Sequence, residues 1–405
     1  MKHSKSILMA ALAALSMVSA QADTIYISGS TAFRSAANNS ISAVPGATLL
    51  ASDNSTLGSA GNAIWSVGTN YVIAHWSGSE LGIQSAAGPA TGTNTKTIPF
   101  CSLANTNLGI GNSALTATAT NPQVASIAFS DTYQSTSIFN GKVVDSSGNS
   151  TTYTSLPDSV VGVVSFTWVG SKNFPTNANV TTPVAQNLMS APVMPVTMFT
   201  GVPSDYTNAV YLIGRNKDSG TRLQTLVNIG LKTSAGVHQY SVSSTSAIVD
   251  YPAETIDGIA AGTAQSGYSS GGTLCGYMTN VYTFGTGFTI NGSASPQYTG
   301  TNFLIGYAGT SDANSKVSGG LVELPYNGVN VSQTAIENGN YGFWGYEHVL
   351  VGNSATTAGT AFAATLVSTI QGLASSDAKL FPNVALTDMY VTRSVDGSSL
   401  SPFFY

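Results

Sequence analysis

"GRNKDSGTR", Gly214 to Arg222, holds two of the chain's four arginines, which are Arg34, Arg215, Arg222 and Arg393. Between the two stands Ser219-Gly220-Thr221. Ahead of them Ala209 to Gly214 is β-prone, and behind them Leu223, Leu226, Val227 and Leu231 share one helical face. The order is strand, polar turn, helix. Charged residues make up only 8% of this chain. Two arginines so close together need a partner, either an internal carboxylate or a bound anion.

Three further segments follow the same plan. Thr24 to Ile27 leads through Gly29 into Ser30-Thr31, good N-cap residues, and then into Phe33, Ala36, Ala37 and Ile41 at helical spacing. Tyr71 to Trp76 ends in Ser77-Gly78-Ser79-Glu80, and Val124 to Phe129 ends in Ser130-Asp131. Strands that run into small hydroxyl residues and then helices predict an α/β fold with its binding loops at the carboxyl ends of the strands. Val160 to Val169 and Asn302 onward predict further buried strands, and Thr360 to Leu373 a helix. Ala86 to Asn121 and Asp145 to Pro157 are rich in Thr, Ser, Asn and Gly and predict long surface insertions or irregular hairpins. No fixed-period repeat occurs.

The chemistry at these turns suits an oxyanion. The first turn of a helix has unpaired N–H groups and a partial positive charge, so an anion is held there without many cations. Glycine permits close approach, Ser and Thr add donors, and one arginine adds a planar fork. Asp131 fits if the ligand carries a proton: an ionised Asp accepts the O–H of hydrogen phosphate and repels sulfate, which has none to give. Each feature also has a plainer reading. Ser-Gly-Thr caps helices, Arg215 and Asp218 can pair locally, and Asp131 can serve a turn.

Together these segments resemble the phosphate-binding proteins of high-affinity phosphate ABC transporters, within the type 2 periplasmic binding protein class. "ISGSTAF", "HWSGSELG", "IAFSDT", "GRNKDSGTR", "LIGYAG", "NGVNVSQTAIENGNYGFWGYEHVLV" and "YVTRSVDGSSLSP" carry the resemblance in chain order. It implies two α/β lobes joined by two crossovers, with Ser/Thr/Asn/Gly-rich insertions and phosphate in the cleft. Residues 23–162 and 322–405 form the first lobe and 163–321 the second. It assigns donor roles to Ser30, Thr31, Ser79, Arg215, Ser219, Gly220 and Thr221, with Ser77 competing with Ser79, and the acceptor role to Asp131. An ABC-transporter permease is the implied partner. The alternatives are a surface or structural protein that retains the fold, and a binder of another tetrahedral oxyanion.

Lys2 and Lys5, the short apolar run Ile7 to Ala20 and Ala20-Gln21-Ala22 read as a secretory signal peptide, residues 1–22, with no cysteine after it for a lipid anchor. A periplasmic or secreted protein follows, expected to be monomeric and not inserted in the membrane. The remaining length suits two domains. A net charge of −5 without a basic cluster argues against nucleic acid. Cys101 and Cys275 are candidates for a disulfide, with two buried thiols as the alternative. No His-x-x-x-His or Cys-x-x-Cys occurs, so no metal or cofactor is expected. "GYSSG", Gly267 to Gly271, matches a nucleophile motif around Ser269. Its flanks read as loop on both sides, so no enzyme is expected.

Overall fold

The computed structural model describes residues 22–145, 147–254, 265–282, 289–294, 300–374 and 383–402. The expected signal peptide lies outside them except for Ala22. The first part of the chain forms β1 (Thr24–Gly29), α1 (Arg34–Ala43), β2 (Ala47–Ser52), β3 (Asn62–Val67), β4 (Asn70–His75), α2 (Ser79–Ala87) and β5 (Ile127–Ser130). A long strand, β6 (Asp158–Gly170), leads to α3 (Thr182–Ser190), β7 (Val193–Pro195), β8 (Ala209–Leu212), α4 (Gly220–Asn228) and α5 (Gly271–Met278). The chain returns through β9 (Asn302–Gly309), α6 (Thr310–Val317), β10 (Trp344–Val351) and α7 (Thr357–Ala374).

This is a mixed α/β fold. Its main sheet runs β7-β8-β9-β6-β10-β5-β1-β4-β3-β2. β1 is parallel to both β4 and β5, and β8 is parallel to β9. β5, β8 and β9 are buried throughout and β1 and β4 in part, as helix-covered parallel strands must be. β6 joins the two: Asp158 to Ser165 pair antiparallel with β10, and Phe166 to Gly170 pair antiparallel with β9. The four strands expected to end in hydroxyl turns are β1, β4, β5 and β8. All four form, and the turns follow their carboxyl ends.

The packing changes three expectations. Ala86 to Asn121 is not all surface. α2 runs on to Ala87, and Ile98, Phe100, Cys101 and Leu115 are fully buried in one core with Ile73, Ile83 and Ala128. A short hairpin strand, Ile98–Phe100, turns its alternate side chains inward there. α1 starts at Arg34, later than its apolar spacing suggests. Ser30 Oγ accepts from Phe33 N at 3.3 Å and closes a separate turn, which keeps Ser30 and Thr31 in the loop. Cys101 and Cys275 are both free and buried, in two different cores, so the disulfide does not form. Among the described residues no helix is long and apolar enough to cross a membrane.

Candidate anion-binding site

Backbone hydrogen bonds stitch the four turns together. Gly78 N donates to Gly29 O at 2.9 Å, Ser30 N to Phe129 O at 2.9 Å, and Glu80 N to Asp218 O at 3.0 Å. Gly78 has φ +103°, and a Cβ there would stand 2.2 Å from Asp218 O. Only glycine meets both demands. The turn after β4 therefore lies directly on the turn after β8.

Asp131 sits at the junction, 1% exposed. Ser79 Oγ donates to its Oδ1 at 2.6 Å, and Thr221 Oγ1 donates to its Oδ2 at 3.3 Å. Asp131 N donates back to Ser79 Oγ at 3.3 Å. A Cβ on Gly220, the first residue of α4, would fall 1.6 Å from Asp131 Oδ1 and 2.6 Å from Ser79 Oγ. The missing side chain is what lets the carboxylate reach the start of that helix. Burial pushes the Asp131 pKa up to about 6, against the Ser79 hydroxyl and the Arg215 charge, which pull it down. The group is mostly ionised at neutral pH.

Arg215 is equally buried. Its Nε donates to Tyr268 O at 3.1 Å, and its Nη2 donates to Ser269 O at 3.0 Å and to Thr31 Oγ1 at 3.1 Å. Nη1 is buried with no hydrogen-bond partner among the described residues. The guanidinium is gripped by neutral oxygens, with the two N–H groups of Nη1 left over. Burial lowers its pKa, while the charges of Asp312 and Asp131 support the cation. It does not pair with Asp218, which takes Lys217 at 2.7 Å instead. The second arginine of the opening stretch has an internal partner. Arg222 Nη1 donates to Arg215 O at 3.1 Å and to Gln265 O at 3.0 Å.

Thr31, Ser79, Asp131, Arg215, Gly220 and Thr221 thus come together. Ser219 adjoins them as the cap of α4, its Oγ accepting from Arg222 N at 3.3 Å. Ser77 turns away: its Oγ meets Ser28 Oγ at 2.7 Å. Ser30 lies beside Glu347, a fully buried acid that the sequence reading missed. Also missed are Gln224, which donates to Asp131 O and, at 2.7 Å, to Asp396, and Glu80, which accepts from Ser137 at 2.7 Å. Burial pushes the Glu80 pKa up to about 8, helped by the charges of Asp131 and Asp218. Two signals pointed to such residues. Glu347 is an acid that stands with His348 inside the largely apolar run of β10, and Gln224 lies one helical turn beyond Gly220.

The "GYSSG" loop contributes carbonyls. Tyr268 O and Ser269 O hold Arg215, and Ser270 caps α5 by accepting from Thr273 N at 3.1 Å. A helix follows the motif where a loop was expected. Residues 255–264, ahead of it, lie outside the described residues. No cluster of metal-ligating groups occurs among the described residues.

No family model matches the chain, and no curated protein does. Solved structures do. A protein from Clostridium perfringens with bound phosphate, assigned as the substrate-binding protein of a phosphate ABC transporter, aligns over 87% of this chain and 96% of its own, with TM-score 0.45 and 12% identity. An ABC-type phosphate transport receptor from Vibrio cholerae aligns over 85% and 93%, with TM-score 0.41 and 11% identity. PstS from Borrelia burgdorferi aligns over 90% and 98%, with TM-score 0.37 and 14% identity.

Proposed function

We propose that this chain is a solute-binding protein that takes hydrogen phosphate between Arg215 and Asp131. The observation that carries the reading is that those two buried groups feel each other's charge without forming an ion pair. The guanidinium has an open Nη1, and the carboxylate meets the N-terminus of α4 through Thr221. Arg215 and the α4 N–H groups supply charge and donors to the phosphate oxygens. Thr31, Ser79, Ser219 and Thr221 add hydroxyls, with Ser30 at the edge. Asp131 accepts the phosphate proton and excludes sulfate. Ser77, bonded to Ser28, has no part in it.

The ligand sits between two lobes, residues 23–162 with 322–405 and residues 163–321. The change of partners along β6, just past the first boundary, supports that division. The protein acts outside the inner membrane as a monomer and hands its cargo to an ABC-transporter permease. It catalyses nothing: Ser269 serves through its carbonyl. Calorimetric titration of anion-stripped residues 23–405 with phosphate and then sulfate tests the reading. One-to-one binding of phosphate with little response to sulfate is expected. Equal binding of both would leave an oxyanion binder without the Asp131 filter. Silence to both from folded protein would reject the reading and favour a surface role for the retained fold.

A further inference from the structure

We propose that Glu347 sits in this site as a carboxylic acid and donates a hydrogen bond to the bound oxyanion. The inference rests on the phosphate reading above. β10 pairs His348 with Ser130, so Glu347 lies alongside the start of the Asp131 loop. Its side chain is fully buried, and neither carboxyl oxygen has a hydrogen bond of good geometry among the described residues. The groups beside it are the Ser30 hydroxyl and Asp131. Ser30 Oγ already accepts from Phe33 N. The Nη1 of Arg215, whose charge acts on Asp131, is also buried and open, as are Arg222 Nη2 and Gln239 Oε1 beside it.

An ionised carboxylate in such a place needs a cation or several donors. Glu347 has one hydroxyl and a neighbouring carboxylate, and two adjacent carboxylates do not both ionise readily. Arg215 supports Asp131, so Asp131 carries the charge and Glu347 the proton. Asp396 stands behind Asp131 through Gln224 and adds more negative charge. On the same strand His348 Nδ1 is bonded to Asp158 at 2.9 Å while its Nε2 stays open, and Tyr346 packs against Tyr133. Burial first, and then the charge of Asp131, hold the Glu347 pKa well above the usual carboxylate range. Neither Glu347 oxygen has a hydrogen-bond partner among the described residues, and a bound oxyanion would give its O–H an acceptor. The two acids divide the work: Asp131 receives the ligand's proton, and Glu347 offers one of its own to another oxygen.

The test is calorimetric titration with inorganic phosphate from roughly pH 6 to pH 10, on the wild type, Glu347→Gln and Glu347→Leu. Phosphate's own ionisation is common to all three, so differences between the curves report Glu347. Gln keeps an uncharged donor. It should match the wild type at neutral pH within about threefold. Leu should bind at least about tenfold more weakly at neutral pH while melting normally. A Gln variant that differs from the wild type by about tenfold or more already at neutral pH, or a Leu variant that binds like the wild type, would overturn the inference and leave the phosphate reading standing. If Leu does not fold, the Gln comparison decides alone. No binding by the wild type at any pH would remove both.

Discussion

Arg222 donates to the main-chain oxygen of Arg215, so one arginine fixes the backbone from which the other projects. The two have separate tasks. Arg215→Lys should weaken phosphate binding by about a hundredfold or more, because an ammonium does not reproduce three fixed bonds and the open Nη1. Arg222→Lys should lower the melting temperature first, since Arg215 O keeps only its bond from Gln239 Nε2 at 3.0 Å and Gln265 O loses its arginine donor, at about 1–3 kcal/mol. Calorimetry and thermal melts on both variants check this. Equal losses of affinity at unchanged stability would contradict the division.

Gly220→Ala adds one methyl group where no space exists. Asp131 and Ser79 must move apart, and overpacking of this kind costs about 1–3 kcal/mol. We expect a lower melting temperature and strongly reduced phosphate binding. A variant that melts and binds like the parent would mean that α4 and Asp131 do not meet in solution.

Asp131→Asn replaces an acceptor-only group by one that also donates. The ratio of sulfate to phosphate dissociation constants should fall by about tenfold or more, mainly because sulfate gains a donor. Paired titrations measure it. An unchanged ratio would return Asp131 to the role of a turn residue.

Stability should fall as pH rises. The Glu80 pKa is raised from 4.5 to about 8 and that of Asp131 from 3.8 to about 6, so the native state holds protons that the unfolded chain releases. The contribution is complete below the unfolded values and is lost as pH climbs through about 6 and then about 8. Ligand-free protein should melt higher at roughly pH 5 than at roughly pH 8.5, and Glu80→Gln should remove much of that slope. A melting temperature that climbs over this range would contradict the burial of Glu80 as an acid.

Cys101 and Cys275 should each take one alkylating group in unfolded, non-reduced protein, and reductant should leave the melting curve unchanged. Protection of both thiols would show a bond that the two separate cores do not allow.

The strand ends were legible because their signals are local. Gly29, Gly78 and Gly220 follow apolar runs, and Ser219 stands three residues before the N–H it caps. α7 forms where its periodicity placed it. The buried side of the Ala86 to Asn121 stretch was not legible. Ile98 and Phe100 are two apolar residues in a polar tract, and only the surface beneath α2 makes them core. Glu347 and Gln224 were missed for a related reason. Their proximity to Asp131 comes from a strand and a helix far away in sequence, and neither residue belongs to a recognisable turn. The Ser77 alternative turned on a rotation about one residue, which sequence spacing does not resolve.

β6 is one long strand, bulged between Val160 and Gly162, whose two halves pair with different neighbours. A flexible linker would let each side move without informing the other. A continuous β-strand has little slack, so rotation at one end reaches the other as torsion along the backbone. The stretch from Gly162 to Gly170 therefore ties the β9 ladder, next to β8 and Arg215, to the β10 ladder that bears Glu347.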